Sequence, residues 1–401
     1  MQNSLQQLFE SYISNKPIFA NKSALSIKYT PSIIPHREQR INQIANILAP
    51  AIRLEKPSNI FIYGKTGTGK SLVCNYVTSQ LANLAKDKGI PVKTVYINCK
   101  LRKIADTEYR LVAHLARHFG RTVPATGLPT DEVYRLFYET IDDKEQIVLI
   151  VLDEIDKLIS KCGDEILYNF TRISQELKNA EVSLIGISND LMFIDNIDAR
   201  VRSSLNEEEI IFPPYDALQL KDILAERAKI AFNSSAIDEL VISKCAAYAA
   251  REHGDARRAL DLLRVAGEIA ERQGCSKVEE RHVDMADEKI EHDRVIEVIK
   301  SQPTQSKVVL YSIIETCKNR KNPIYTGDIF NVYIGKCTLM GERQLTQRRI
   351  SDLITELDTL GLINAKVISM GRGGRKKEIS LAVPQASVDK IMGIIKEDLV
   401  V

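Results

Sequence analysis

The stretch Asn59-Ile60-Phe61-Ile62-Tyr63-Gly64-Lys65-Thr66-Gly67-Thr68-Gly69-Lys70-Ser71 narrows the folds open to this chain more than any other. Four apolar residues in a row predict a strand buried on both faces. They run straight into G-x-x-x-x-G-K-S and then a helical pattern from Leu72. A strand, a glycine-rich turn and a helix in that order make a phosphate-binding loop. Gly64, Gly67 and Gly69 let the backbone turn tightly, so that the N–H groups of the loop (Lys65, Thr66, Thr68) and of the helix start at Leu72 can wrap an anionic phosphate chain. Lys70 is placed to reach the β- and γ-phosphates, and Ser71 to put its hydroxyl on Mg²⁺.

Two further apolar runs deliver polar groups in the way an open α/β sheet delivers ligands to its strand ends. Ile147 to Leu152 is a run of six apolar residues ending in Asp153-Glu154. Asp153 suits the Mg²⁺ shell and Glu154 suits polarising the attacking water. Val182 to Asn189 is a third such strand, whose terminal amide can orient that water or touch the γ-phosphate; an Asn at a strand end is also a common turn former. Between these runs, Lys93 to Cys99 predicts another strand and 130–141 a helix. The string Asp198-Ala199-Arg200-Val201-Arg202 predicts an extended stretch with both arginines on one side. Either could act as an arginine finger on a neighbouring subunit's nucleotide, or both could be exposed salt-bridging residues.

Phe212-Pro213-Pro214-Tyr215 breaks the pattern and sets a domain boundary. Beyond it, 216–297 read as all-helical. Asp255 can cap the helix that begins at Ala256, which puts Arg257 and Arg258 in its first turn, where the helix dipole is positive. Cations there imply an anion opposite them, and Arg257 is the one assigned to it.

The net charge of the 401-residue chain is only +2, but it is unevenly spread. From Lys300 onward 16 basic residues stand against 10 acidic, while the preceding part carries 39 against 43. An anionic partner is therefore drawn to the C-terminal end. There, after the polar joint 301–306, come two helical patterns and a third from Leu345 to Leu360. In that third helix Ile350, Leu353, Ile354, Leu357 and Leu360 form a buried face, and Gln347, Arg348, Ser351 and Thr355 stand off it. Strands at 363–369 and 377–383 follow, joined by a basic, glycine-rich turn. Three helices and such a hairpin outline a winged helix-turn-helix, with Gln347, Arg348 and Arg349 at the base-reading helix and Arg372, Gly373, Arg375, Lys376 and Lys377 along the wing. The seven scattered cysteines form no C-x-x-C pair, so they are expected to be reduced thiols. No apolar run is long enough to span a bilayer.

With these elements in register, the chain resembles the archaeal replication initiators of the origin recognition type, relatives of the largest origin recognition subunit and of the cell-division-cycle ATPase. The likeness covers nearly the whole length. It is carried by Tyr63 to Lys70, Ile150-Val151-Leu152-Asp153-Glu154-Ile155-Asp156, His253 to Leu260 and Gly371-Arg372-Gly373-Gly374-Arg375. It implies an N-terminal arm (1–30), an α/β AAA+ P-loop domain with a parallel sheet flanked by helices (31–212), an all-α lid (213–299) and a winged helix-turn-helix domain (300–401). Asn189 then takes the sensor 1 role and Arg257 the sensor 2 role, and the segment holding His36 and Arg37, with Tyr215, borders the adenine. An initiator-specific helix within about 100–115 would bring Lys100, Arg102 and Lys103 to DNA.

The resemblance further implies ATP or ADP with Mg²⁺ and slow, regulatory hydrolysis. Its implied partners are double-stranded origin DNA, paralogous initiators and the minichromosome maintenance helicase, in the cytoplasm and at the nucleoid. Ser203-Ser204 stands where eukaryotic relatives tend to carry Ser-Arg, so trans-activated hydrolysis is not carried over. The same parts also fit an ATPase machine of clamp-loader or remodeller type, or an AAA+ transcription regulator.

Overall fold

The computed structural model describes residues 17–399 other than 28, 101–104, 125, 194–196, 206, 320–322, 370–374 and 384. The chain divides into two compact units, Met1–Val283 and Asp284–Val401.

The first unit alternates helices and strands: α1 (Glu38–Leu48), β1 (Asn59–Tyr63), α2 (Lys70–Lys88), β2 (Val92–Asn98), α3 (Glu108–His118), α4 (Thr130–Ile141), β3 (Gln146–Asp153), α5 (Ile155–Cys162), α6 (Glu165–Glu176), β4 (Ala180–Ser188), α7 (Ala199–Leu205) and β5 (Glu207–Ile211). The five strands form one sheet in the order β2-β3-β4-β1-β5, with every neighbouring pair parallel. A parallel sheet covered on both faces needs apolar side chains on both sides of its inner strands. The apolar runs supply them. Ile60, Ile62, Ile147, Leu149 and Val151 pack into one cluster with Val73 and Val77 of α2. Their alternate neighbours Phe61, Tyr63, Val148, Ile150 and Leu152 pack into the opposite cluster with α3, α4 and α6. All eight residues of β3 are buried, so truncating one of its large aliphatic side chains to Ala would cost roughly 2–5 kcal/mol.

The same unit continues into the lid helices α8 (Ala217–Ala231), α9 (Glu239–Arg251) and α10 (Ala256–Arg272); α11 (Glu280–Ser301) starts at its end and runs on into the second unit. Asp216 and Gln219 form a reciprocal capping box at the start of α8, which sets where the helix begins after the two prolines.

The second unit carries α12 (Thr304–Asn319), β6 (Ile324–Tyr325), α13 (Thr326–Met340), α14 (Gln347–Thr359), β7 (Ile363–Ser369), β8 (Arg375–Leu381) and α15 (Gln385–Leu399). Its sheet runs β6-β8-β7, with both pairings antiparallel. Ile350, Leu353, Ile354 and Leu357 of α14 are buried in its core with Val308, Ile313 and Tyr333.

Two expectations are corrected. Residues 199–205 are helical, not extended: the Asp198 carboxylate accepts from Arg200 N–H at 2.8 Å and its carbonyl from Arg202 N–H at 3.0 Å, the bonding of a helix N-cap. Two residues apart on a helix lie about 200° around the axis, so Arg200 and Arg202 do not share a side. Leu360 is not part of the buried face. It is the C-cap of α14 and 42% exposed, because the chain turns at Gly361.

Candidate active site and nucleic-acid interface

Register brings the polar strand ends to one edge. Tyr63 of β1 pairs with Ser188 of β4, and Ile187 of β4 pairs with Asp153 of β3. The loop after Tyr63, the acids after Leu152 and the amide after Ser188 therefore emerge together. This is the carboxyl edge where parallel sheets place ligands.

At that edge Lys70, 5% exposed, donates to Gly64 O at 2.6 Å, Lys65 O at 2.8 Å and Asn189 Oδ1 at 2.9 Å. Burial lowers the Lys70 pKa to about 8; Asp153 works to raise it and Arg257 to lower it. Ser71 Oγ donates to Asp153 Oδ2 at 2.8 Å, and the Tyr96 hydroxyl donates to the same oxygen. Burial and the neighbouring Asp153 push the Tyr96 pKa up, which keeps it a donor. A hydroxyl and a carboxylate held together are the hard oxygen donors that suit Mg²⁺. Glu154 follows in the left-handed region (φ 55°), with its N–H on Asp153 Oδ1 at 2.9 Å. A non-glycine residue there costs of order 1 kcal/mol or more, and such strain gathers at functional sites.

A cavity of about 550 Å³ lies over this edge. Its phosphate-loop side is Gly67 to Leu72, with Asp153, Glu154 and Asn189 beside it. Its far side is the chain from Ser26 to Pro35, without Lys28, and the lid residues Tyr215, Ile223, Arg227, Ile230, Arg257 and Leu260. The lid touches the loop directly: Ala256 N–H donates to Gly67 O at 3.2 Å. Asp255 caps α10 by accepting from Arg257 N–H at 2.7 Å, and a Cβ on Gly67 (φ 74°) would fall 1.7 Å from its Oδ1. Gly67 is therefore required both by its backbone angle and by the approach of the lid. Arg257 lines the cavity, whereas Arg258 pairs with Glu252 at 3.1 Å.

Several residues singled out by sequence lie off the cavity lining. Gly64, buried against Phe212, and the exposed Lys65 and Thr66 form the first half of the loop, off the lining. Arg37, 3% exposed, donates to Thr68 O at 3.0 Å and Pro213 O at 2.7 Å and lies 3.7 Å from the Tyr215 ring centroid. It braces the loop against the lid entry. His36 pairs with Asp222 of α8 at 2.9 Å. Arg200 is exposed and bound to its own cap, Asp198, at 3.1 Å, and Arg202 is exposed. Conversely, Ser26, Ile27, Tyr96, Ile223, Arg227, Ile230 and Leu260 carried no sequence signal of a site. They reach the cavity only through tertiary packing.

In the second unit Thr346 caps α14 by accepting from Arg349 N–H at 3.4 Å, and Gln347, Arg348 and Arg349 are exposed in the first turn. Arg349 reaches Glu356 at 3.4 Å and Asp352 at 3.9 Å, so part of its charge is met on its own helix. The β7–β8 hairpin pairs Ser369 with Arg375. Lys377 Nζ reaches back to Thr355 Oγ1 at 2.7 Å and Ser351 O at 3.3 Å, tying the hairpin to α14, and Lys376 lies 5.4 Å over the Tyr325 ring. Lys100 is exposed after β2. Arg102, Lys103, Arg372 and Gly373 lie outside the described residues. Among the described residues no helix is long and apolar enough to cross a membrane.

The phosphate loop, the strand-end acids, a helical lid on the loop and a separate unit of helices and antiparallel hairpin define a class: an AAA+ ATPase with a C-terminal winged helix. Family models agree piece by piece. An AAA domain matches residues 53–193, a Cdc6 AAA+ ATPase-type lid domain 221–288 and a CDC6 C-terminal winged helix domain 297–391.

The chain belongs to the ORC1-type DNA replication proteins. It is 56% identical over 393 residues to the ORC1-type DNA replication protein of Thermococcus onnurineus, covering 97% of this chain and 94% of that one. It is 55% identical to ORC1-type DNA replication protein 1 of Methanosarcina mazei, with the same coverage. The Aeropyrum pernix ORC1 protein, solved in complex with DNA, superposes with a TM-score of 0.83 at 45% identity, over 95% of this chain and 97% of that one.

Proposed function

We propose that the protein is an ATP-switched replication initiator that binds double-stranded origin DNA sequence-specifically, hydrolyses ATP slowly and helps recruit the replicative minichromosome maintenance helicase. The observation that carries this reading is the lid seated on the phosphate loop, with Ala256 N–H on Gly67 O and Arg257 in the same cavity as Lys70. A cavity closed from two sides suits a nucleotide held as a state of the protein more than one exchanged at every cycle.

Lys70 and Arg257 meet the phosphates, Glu154 orients the attacking water and Asn189, already bonded to Lys70, positions the γ-phosphate end. Mg²⁺ held by Ser71 and Asp153 would neutralise phosphate charge. The base-reading side chains are Gln347, Arg348 and Arg349, with backbone contacts from the hairpin and from the segment around Lys100. That the DNA-bound relative is an ORC1 protein supports the DNA partner.

The test combines turnover with footprinting on the host's replication start regions in ATP and in ADP. The expected result is turnover well below roughly 1 s⁻¹, ADP retained after hydrolysis, and protected sites confined to those regions. Rapid turnover that ignores DNA, or protection spread over promoters away from any replication start, would overturn it.

A further inference from the structure

The segment before α1 belongs to the lid rather than to the sheet. Ala20 and Asn21 N–H groups both donate to Ala231 O at the end of α8, at 2.9 and 3.0 Å, and Lys22 pairs with Glu268 of α10 at 2.8 Å. Ile18, Ala24 and Leu25 are buried. The chain then leaves this anchor and runs along the cavity as its outer wall, with Ile27 and Tyr29 among the lining. Among the described residues of 26–35 the wall has no strand or helix of its own, so it needs something to hold it.

Arg227 meets that need. It lies on α8, 7% exposed, and its guanidinium donates to Ala24 O at 3.1 Å and to Tyr29 O at 3.3 Å, one carbonyl on each side of Ile27. Its carbon sits 4.6 Å from the Tyr29 ring centroid. Ile223 and Ile230, one turn to either side, line the same cavity beside Glu226, so this face of α8 opposes the wall with two aliphatic side chains fit to pack on a flat ring. Among the described residues no carboxylate pairs with Arg227, and burial lowers its pKa. Two backbone carbonyls and the Tyr29 ring face meet its charge instead, which commits the side chain to the wall.

We propose that Arg227 is a positioning residue for the nucleobase: by clamping 24–29 against α8 it builds the slot for the base and has no part in holding the phosphates. The proposal rests on reading the cavity as a nucleotide site.

The test is calorimetric titration of the full chain with Mg-ADP and with Mg-pyrophosphate, for the wild type, Arg227→Met and Arg227→Lys. The wild type is expected to prefer ADP by on the order of a hundredfold, since the base adds a buried ring. Arg227→Met should remove most of that preference while pyrophosphate affinity stays within about twofold, and Arg227→Lys should keep part of it. Parallel loss for both ligands, or an unchanged ADP preference, overturns the role of Arg227. Should Arg227→Met fail to fold, the lysine variant decides alone: a reduced preference supports the role and an unchanged one overturns it. A wild type with no preference for ADP over pyrophosphate overturns the base-slot reading itself, a result distinct from any effect of the substitutions.

Discussion

The phosphate edge of the first unit and the α14 face of the second both gather cations for an anionic partner, yet they hold them differently. Lys70 is buried, bonded to three oxygens and shifted in pKa by its surroundings. Gln347, Arg348 and Arg349 stand in solvent on the first turn of a helix, and the hairpin lysines are met by a ring or by a neighbouring helix. A buried cation acts at short range in a low dielectric, so one substitution should act nearly all-or-none. Exposed cations act through summed, salt-screened charge, so each should count for little alone.

The largest effect is expected from Glu154→Gln. Removing the water-activating carboxylate should slow single-turnover hydrolysis by about 10²–10⁴-fold while ATP affinity changes only a few-fold. A matched loss of affinity would mean that Glu154 holds the ligand instead. Lys70→Met comes next. It leaves Asn189 Oδ1 and two loop carbonyls without their donor and removes the charge opposite the phosphates, so nucleotide affinity by titration should fall by roughly 10²-fold or more. A loss below about tenfold would place the phosphates elsewhere on the loop.

The same contrast explains what was legible in the sequence. The phosphate edge could be read because its strands are buried on both faces, so each is an unbroken apolar run, and the functional group sits at the run's end: Ser71 after β1, Asp153 at the end of β3, Asn189 after β4. The base end could be read only in part. The segment before α1 and Tyr215 were expected to border the adenine, and 29–35 and Tyr215 do line the cavity though His36 and Arg37 do not, whereas Ile223, Arg227 and Ile230 look like any amphipathic helix until packing sets what they face. Arg200 and Arg202 misled because alternation predicts a strand, whereas the Asp198 cap starts a helix. In the second unit Ile350, Leu353, Ile354 and Leu357 have clear helical spacing and are buried as expected. Leu360 keeps the spacing but lies past the last turn. The final helix, α15, was not read from the sequence, although Val388, Ile391 and Ile395 have helical spacing and are buried.

The Lys70 pKa gives a test that only a buried cation passes. Bound phosphate favours the charged amine and raises its pKa, so below about pH 8 the lysine is charged with or without ligand and affinity is flat. Above about 8 the free site loses its proton and the bound site keeps it. Binding then takes up a proton, and affinity should fall with pH, by up to about tenfold per unit. Titration in buffers of different ionisation enthalpy at pH 8.5 should show the proton uptake, and its absence would mean that Lys70 is charged throughout.

On the DNA side, Arg348→Ala should lower affinity for the preferred duplex several-fold more than for a scrambled one, and a slope of log affinity against log salt changed by about one with discrimination intact would make it a phosphate contact instead. Lys377→Met is expected to have the smallest effect and separates contact from positioning. Its ammonium is bonded to Thr355 Oγ1 and Ser351 O, so its bonding serves to hold the hairpin against α14. Losing that tie should blur discrimination between the preferred duplex and a scrambled one by roughly 1 kcal/mol, the net scale of a typical hydrogen bond, and leave the salt slope unchanged. A slope reduced by about one with discrimination intact would make Lys377 a phosphate contact that abandons α14 when DNA arrives.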